Sequence, residues 1–269
     1  MAKTLISDEL WAMIEPLIPV KPRWTRDTGW HPTPDRACLT GILFVLLTGI
    51  QWEHLPQEMS CGCGMTCWRR LRDWQHAGVW QKLHEKLLAH LNAADKVDWS
   101  RAVVDSSSVR AVGGGEASGP NPTDRGKPGS KHHILTEAQG TPLVVRLTAA
   151  NVHDGTMLLD LIDAIPPVRG KVGAPKRKPD SVTADKAYHS RMREMLLWTR
   201  GIAPLLPRRG SDDDTSLGRL RWVVERTISW LHQFRRRRVR YERRVDIHQA
   251  FLSLGCSIIC LRTLGRANC

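Results

Sequence analysis

The chain has 269 residues, of which 40 are Lys or Arg and 27 are Asp or Glu, so its formal net charge at pH 7 is +13 and its pI is about 9.9. This length allows one large or two modest domains, and the positive charge favours a polyanionic partner, foremost nucleic acid, over an acidic small molecule. The longest apolar run, residues 37–50, is shorter than the roughly 18 residues that a membrane span needs, and the N-terminus shows no secretory signal, so we expect a cytoplasmic protein with no membrane partner.

Residues 1–95 are predicted to be all-helical. Ser7, followed by two acidic residues, is a typical helix cap, and Asp35 opens a run whose apolar residues recur at helical spacing. Further on, a basic helix, a turn at Gly78 and a second helix follow one another, as in a helix-turn-helix DNA-binding unit. We therefore expect an all-helical N-terminal DNA-binding domain over residues 1–95, with DNA contacts from three arginines of the basic helix: Arg69, Arg70 and Arg72.

A second domain is predicted over residues 96–269. Residues 96–105 have the pattern of a strand that ends at Asp105, a β-hairpin follows, and SVTADKAYHS predicts a short strand that ends at Asp185. Helical patterns alternate with these strands. The second domain is therefore predicted to be α/β, with a mixed sheet flanked by helices.

The segment from Leu217 to Arg244 joins a carboxylate to the densest block of positive charge in the chain. As a helix it places Arg221 and Glu225 side by side near the edge of an apolar stripe. From residue 219 to residue 244 there are ten arginines and only two glutamates. This balance favours a phosphate-bearing partner, and a core helix with a solvated basic end is the alternative that the segment alone leaves open.

Three acids follow a pattern that favours a metal site. Asp105 and Asp185 each come after an apolar strand, and Glu225 lies on a helix beside an arginine. Clustered carboxylates repel one another unless divalent cations neutralise them, and Mg²⁺ prefers oxygen ligands. Two ions about 4 Å apart can activate a water or a 3′-hydroxyl for in-line attack on a phosphodiester. A single aspartate after a strand is more often a turn or cap residue, so the prediction depends on all three acids.

Four stretches carry a resemblance to a known family: VVDSSSVRA, AANVHDG, VTADKAYHS and RWVVERTISWLHQFRRRRVRYERR. They resemble the motifs of bacterial insertion-sequence DDE transposases, most closely the insertion sequence 5 group, and the likeness covers nearly the whole chain. The resemblance implies an RNase H-like catalytic domain. It also implies that Asp105, Asp185 and Glu225 form a catalytic triad that binds two Mg²⁺ ions, for which Mn²⁺ can substitute.

The related Y-x2-R-x3-E-x6-K signature is matched in part. Arg221 matches its arginine and Glu225 its acid, whereas Gly218 replaces the tyrosine and His232 the lysine. Besides Arg221 and His232, we expect DNA phosphate contacts from the run that follows: Arg235, Arg236, Arg237 and Arg238. The family's NxHD-like motif is also matched, and its members are expected to support the site by hydrogen bonding: Asn151, His153 and Asp154.

The resemblance implies a nucleoid-associated transposase that binds the terminal inverted repeats of its insertion sequence and catalyses Mg-dependent DNA cleavage and strand transfer. Its expected partners are double-stranded DNA, at the repeats and the target, and further copies of itself in a homodimer or larger synaptic oligomer. A different class is a non-catalytic DNA-binding regulator or a decayed copy, and a third is a general RNase H-like nuclease. Specific binding to the ends separates the first from the third. The sequence leaves open whether the chain is active with Gly218 and His232 at signature positions.

Overall fold

The N-terminal part of the chain is helical. The computed structural model describes most of the chain, with the backbone alone for residues 214–219: residues 5–20, 32–208 and 214–265. Ser7 caps the first helix as predicted, because its side chain accepts a hydrogen bond from the backbone N–H of Leu10 at 3.2 Å. Gly78, with a φ of +71°, makes the predicted turn between the third and fourth helices. The predicted helical region is therefore confirmed, with these bounds: α1 (Asp8–Ile14), α2 (Asp35–Thr48), α3 (Gly64–His76) and α4 (Val79–Ala93).

Among the described residues, seven strands form one mixed sheet: β1 (Ala102–Ala111), β2 (Gly119–Pro120), β3 (Pro128–Glu137), β4 (Pro142–Ala149), β5 (Ser181–Thr183), β6 (Ala203–Leu205) and β7 (Val239–Arg240). The five main strands lie in the order β4, β3, β1, β5, β6. Neighbours from β4 to β1 are antiparallel, and β1, β5 and β6 run parallel. The short strands β2 and β7 pair with the ends of β3 and β1. This arrangement confirms the predicted mixed sheet.

β1 differs from the sequence prediction. It begins at Ala102 and continues to Ala111, so Asp105 lies within the strand rather than at its end. The reason is β3, which pairs with β1 along nearly its whole length and keeps it extended beyond the carboxylate. On its other edge β1 pairs with β5 only at residues 102–103 and with β7 only at residues 110–111. Between these two pairings, in the part of the chain that the structure describes, the edge of β1 is open beside Asp105.

Further helices pack on the sheet: α5 (Leu158–Asp163), α6 (Arg191–Thr199), α7 (Asp214–Gln233) and α8 (Val245–Gly265). α7 is the predicted helix of the arginine-rich segment, and Val224 and Leu231 of its apolar stripe are buried. The side chains at positions 217 and 218 lie outside the described residues. After α7 the chain makes a 3₁₀ turn at Arg235–Arg237, enters β7 and then begins α8.

α8 is the central helix of the interior. Within the described residues it is the one helix that is long and apolar enough to cross a membrane. However, 67% of its most apolar stretch is buried inside the protein. It packs against α3, α4 and α7 and against β4 of the sheet. Its apolar character therefore matches its position in the core.

The N-terminal helices and the sheet share one hydrophobic core, whose buried residues extend from Ile6 to Cys260. α4 packs along α8, and Nε2 of His84 lies 2.8 Å from the carbonyl oxygen of Pro142 at the start of β4. The second helix of the helix-turn-helix pair thus packs one face into the core, and exposed basic side chains lie on both helices: Arg69 on α3 and Lys82 on α4. The division into domains at residue 95 stays a prediction, because both parts contribute to the same core.

Candidate active site and nucleic-acid surface

The open edge of β1 brings two of the predicted acids to the same level of the sheet. β1 and β5 are parallel neighbours with Val103 opposite Thr183, so Asp105 and Asp185 each follow that pair by two residues. The side chain of Asp105 is 16% exposed, and its Oδ1 accepts a hydrogen bond from the backbone N–H of Ser106 at 2.8 Å. Asp185 lies two residues beyond the end of β5 rather than on its last residue.

Asp185 also has the local role that single aspartates after strands often have. Its Oδ1 accepts a hydrogen bond from the backbone N–H of Ala187 at 2.9 Å and so caps the 3₁₀ turn Lys186–Tyr188. This bond occupies one carboxylate oxygen and holds the side chain near the end of β5. The other oxygen remains available as a ligand.

Arg221 connects the third acid to this cluster. It lies one helical turn before Glu225 on α7, and its Nη2 is 3.8 Å from Oε1 of Glu225 and 3.8 Å from Oδ2 of Asp105. Two carboxylates from different elements therefore share one guanidinium nitrogen, and their oxygens cannot be further apart than twice that distance. Glu225 is 58% exposed and borders the solvent side of the cluster.

The cluster perturbs the ionisation of Asp105. Its pKa is raised to about 6, chiefly by burial and also by the charges of Asp185 and Glu225, although the hydrogen bond from Ser106 and the charge of Arg221 oppose the rise. An aspartate that is partly desolvated and close to two other carboxylates binds a proton or a cation more readily than one in water. The electrostatics of the site therefore favour added positive charge.

The residues present fit a divalent metal by chemistry, although their side chains are not gathered as a closed ligand set. Asp105, Asp185 and Glu225 offer only carboxylate oxygens, the donors that Mg²⁺ prefers. In the described ranges, however, no three His, Cys, Asp or Glu side chains are close enough together to hold an ion. The positive charge between Asp105 and Glu225 is instead the guanidinium of Arg221. The arrangement is that of a cation-bridged carboxylate pair.

Asp154, from the NxHD-like motif, contacts the residue next to Asp105. Its Oδ1 accepts hydrogen bonds from Ser106 Oγ at 2.7 Å and from Lys131 Nζ at 2.9 Å. Burial alone would raise the pKa of Asp154, but the hydrogen bonds from Lys131 and Ser106 bring it below its usual value. Because successive residues of a strand face opposite sides, this ionised carboxylate supports β1 from the face opposite Asp105.

The other two members of the motif contact the loop instead. His153 Nδ1 accepts a hydrogen bond from the backbone N–H of Gly155 at 3.2 Å and so caps the following 3₁₀ turn. Asn151 is exposed and lies against Gly119 of β2, where an added Cβ would meet its Oδ1 at 2.3 Å. Of the three predicted supporting residues, Asp154 is the one that reaches β1 beside Asp105.

Sequence reasoning missed three residues of this cluster: Ser106, Lys131 and Tyr188. Tyr188 is 1% exposed, and burial together with the charges of Asp154, Asp105 and Asp185 raises its pKa. Its hydroxyl is therefore a neutral group beside the carboxylates. Tyr188 and Ser106 stand within the motifs VTADKAYHS and VVDSSSVRA, so their position beside the acids was a usable signal. Lys131 carried no such signal, because it reaches Asp154 only through the pairing of β3 with β1.

The predicted DNA-contacting arginines of α3 differ in availability. Arg69 is exposed. Arg70 is largely covered and pairs with Asp35 at 3.1 Å, and Arg72 pairs with Asp73 at 2.7 Å while its guanidinium lies over the ring of Trp68. Arg70 therefore connects α3 to the start of α2, which leaves Arg69 and Arg72 as the outward-facing pair.

The arginine run after α7 corrects the prediction that all four members contact DNA. Arg235 and Arg238 are exposed, whereas Arg236 is 5% and Arg237 0% exposed. The 3₁₀ turn is the reason, because it directs the two middle side chains into the protein. Arg236 and Arg237 are thus removed from the predicted DNA surface.

Arg236 and Arg237 belong to a buried polar network. Arg236 Nε donates to Glu242 at 2.7 Å, and its Nη1 donates to the carbonyl oxygens of Gly49 and Ile50. Glu242 also lies 3.2 Å from Nδ1 of His248 on α8. Arg237 extends the network to the sheet. Its Nη1 is 3.1 Å from Nε2 of His248, and its Nη2 is 3.0 Å from Nε2 of His132 on β3.

His232 does not supply the charge of the signature lysine that it replaces. It is half-buried with Nε2 3.4 Å from Ser107 Oγ, and burial and the charges of Arg237 and Arg238 lower its pKa. The ring is therefore neutral at pH 7. Arg238 is exposed and donates to the carbonyl oxygen of His232 at 2.8 Å, so a positive charge stands beside this position.

Comparison with known proteins gives two family matches and close relatives. Residues 100–261 match the family described as Transposase DDE domain, and residues 6–84 match the family of transposases of the IS4/5 type. One relative is a transposase for insertion sequence element IS402 of Burkholderia cepacia. The two sequences are 58% identical over a region that covers 56% of this chain and 71% of that protein. A second relative is an uncharacterised 16.2 kDa protein of the same element. It is 63% identical over a region that covers 45% of this chain and 84% of that protein.

Two solved structures of another transposase are distantly similar. The catalytic domain of Mos1 mariner transposase is 12% identical, covers 68% of this chain and 91% of that chain, and has a TM-score of 0.27. The Mos1 strand transfer complex is 11% identical, covers 90% and 81%, and has a TM-score of 0.28.

We predict that replacing both Arg235 and Arg238 with alanine weakens binding to every DNA sequence and flattens its salt dependence. For each phosphate that the protein no longer neutralises, the slope of log affinity against log salt should fall by about 0.9. Fluorescence anisotropy at several salt concentrations measures both effects. The matched control is Arg200→Ala, which removes a partly exposed arginine paired with Asp163. Parent values of affinity and slope in the double variant would mean that this surface is merely solvated.

For the buried network we predict that Glu242→Gln lowers the stability of the fold. Removing one charge of a buried pair leaves Arg236 uncompensated, which should lower the free energy of unfolding by about 3–5 kcal/mol. Urea denaturation followed by circular dichroism measures the change. Glu58→Gln, which alters an exposed glutamate, is the control and should remain within roughly 0.5 kcal/mol of the parent. A stability loss below about 1 kcal/mol for Glu242→Gln would contradict a structural role for the network.

Proposed function

The chain belongs to the insertion-sequence transposases that carry a DDE domain, and we propose that it binds the terminal inverted repeats of its own element, cuts the DNA there and joins the freed 3′-hydroxyl to target DNA. The observation that carries this proposal is the cluster at the open edge of β1. Asp105 on β1 and Asp185 just beyond the end of the parallel strand β5 lie at the same level of the sheet, and Glu225 shares the guanidinium of Arg221 with Asp105. Three elements distant in sequence thus contribute acids to the same edge of the sheet.

We propose that Asp105, Asp185 and Glu225 hold two Mg²⁺ ions, with Mn²⁺ able to substitute. Such ions neutralise the carboxylates and activate the attacking water or 3′-hydroxyl for in-line displacement at phosphorus. The protein prepares for this locally. The N–H of Ser106 orients Asp105, the N–H of Ala187 orients Asp185, and β3 holds β1 extended behind both.

The proposed DNA path runs over arginines at the surface of α3 and of the turn after α7. Arg235 and Arg238 follow directly on α7, the helix that carries Glu225, and α3 offers Arg69 and Arg72. Such side chains hold phosphates without reading sequence, so they position the duplex rather than select it. Joining two element ends requires two active sites, and for this reason we propose a homodimer or larger synaptic oligomer, located with the nucleoid in the cytoplasm.

A DNA-binding regulator is the second candidate. It is favoured by the spacing of the acids, since no three potential ligands in the described residues are close enough to hold an ion as they stand. A regulator needs the basic surface but neither the metal nor the free carboxylates. Cleavage assays therefore separate the two candidates.

We predict that Glu225→Gln abolishes strand cleavage in Mg²⁺ and leaves binding to terminal repeats near the parent value. The amide keeps the shape of the side chain but loses the charge that holds an ion. Mutating a residue that only hydrogen-bonds to a metal ligand lowers activity by up to roughly 100-fold, so the loss of a ligand should lower the cleavage rate by more than that. Cleavage of a labelled end duplex and anisotropy of the same duplex measure the two properties.

Glu58→Gln, at an exposed position far along the chain from the triad, should change neither cleavage nor binding. Normal cleavage by Glu225→Gln would reduce Glu225 to a helix partner of Arg221. A parent protein that binds the repeats specifically, and yet cleaves in neither Mg²⁺ nor Mn²⁺, would establish the regulator.

A further inference from the structure

Arg221 places a positive charge beside two of the proposed metal ligands, Asp105 and Glu225. Its Nη2 is equidistant, at 3.8 Å, from carboxylate oxygens of Asp105 and Glu225. The side chain is 24% exposed, so the guanidinium lies at the rim of the cluster and can reach solvent. No other basic side chain in the described residues lies within 4 Å of either carboxylate.

The contacts of Arg221 are those of a loosely held side chain. Charged N–H···O bonds are usually 2.7–2.9 Å long, so 3.8 Å is an electrostatic contact without a hydrogen bond. The Nε of Arg221 is buried and has no hydrogen-bond partner among the described residues. A committed pair in this chain looks different: Arg200 donates twice to Asp163, at 2.8 and 2.7 Å. Arg221 is thus held by charge and remains free to take a better partner.

A guanidinium and a metal ion exclude each other at this position. Mg²⁺ binds oxygen at 2.0–2.1 Å, so two oxygens on one ion lie about 4 Å apart or less. An ion held by Asp105 and Glu225 would use the carboxylate oxygens that now face the guanidinium, so the two cations compete for the same position. The planar fork of arginine is suited to a phosphate group, which can accept two hydrogen bonds from it. The backbone of bound DNA would provide that partner.

We propose that Arg221 is an internal cation that holds Asp105 and Glu225 in the metal-free protein and leaves for a DNA phosphate when metal enters. This proposal rests on the proposed function, since it takes the two acids to be metal ligands. Arg221 is then a positioning residue that acts through the carboxylates. Metal loading and DNA binding become coupled, because each favours the arrangement in which the guanidinium has left the acids.

The sign of one measurement distinguishes this role from a scaffold role. If Arg221 competes with metal, Arg221→Met should bind Mn²⁺ at least about fivefold more tightly than the parent without DNA, the lower end of usual coupling between sites. If Arg221 merely keeps the acids in place, the same variant should bind Mn²⁺ more weakly. Titration calorimetry of the full-length protein with MnCl₂ measures the affinity, and no turnover is required.

A second comparison tests the part played by DNA. With an end duplex bound, the guanidinium has left the acids in the parent as well, so the difference in Mn²⁺ affinity between parent and Arg221→Met should shrink to within about twofold. The ratio between the two proteins cancels Mn²⁺ bound by the DNA itself. An undiminished difference in the DNA complex would overturn the proposed transfer to phosphate.

Two further variants keep the result interpretable. Glu225→Gln should abolish the tight Mn²⁺ site in either background, and if it does not, the acids are not the ligands and the proposed function fails. If it does, while Arg221→Met binds no more tightly than the parent, only the inference about Arg221 fails.

Arg221→Lys keeps the charge with a shorter reach and serves if the methionine variant does not fold. Its Mn²⁺ affinity without DNA should exceed that of the parent by a smaller factor, and a weaker affinity would contradict competition.

Discussion

The buried ion pair of Arg236 and Glu242 holds together the part of the molecule on which the candidate site depends. Both side chains are at most 6% exposed, and their N–O distance is 2.7 Å. Taking two charges out of water costs several kcal/mol each, so such a pair persists only when further hydrogen bonds satisfy both groups. Here they do: Arg236 also donates to the carbonyl oxygens that follow α2, which the helix itself leaves without partners, and Glu242 also meets His248.

This pair anchors the connection between α7 and α8 from several directions. Arg237, fully buried beneath it, contacts His248 on α8 and His132 on β3. Burial lowers the pKa of Arg237 to about 9, and the charge of Glu242 opposes that shift, so the guanidinium stays protonated at pH 7. His132 is in turn the β3 partner of Ser107 on β1. The helix that carries Glu225 is therefore tied to the strand that carries Asp105 through residues behind the site.

With the scaffold fixed in this way, the candidate site itself can remain unsatisfied. The open edge of β1 collects three carboxylates, raises the pKa of Asp105 and leaves the guanidinium of Arg221 without close hydrogen bonds. Such an arrangement is unfavourable for the isolated protein and favourable once cations and phosphates arrive. The structure thus combines a buried network with many short hydrogen bonds behind the sheet and a loosely bonded cluster of charged groups at its edge.

The sequence by itself indicated the elements and the family and predicted the triad, because each of these inferences depends on local signals. Helix caps such as Ser7, the glycine turn at Gly78 and the motif around Glu225 are read within a few neighbouring residues. Even so, a strand pattern could not reveal that β1 continues past Asp105, since its length comes from pairing with β3.

The tertiary structure alone decided which arginines face outward. Four consecutive arginines look alike in sequence, but the 3₁₀ turn sends Arg236 and Arg237 towards Glu242, His248 and His132 and leaves Arg235 and Arg238 in solvent. The partners that make this burial possible lie from six residues to more than a hundred residues away in the chain. A buried charge is stable only where such distant partners converge, and this convergence is a property of the folded chain.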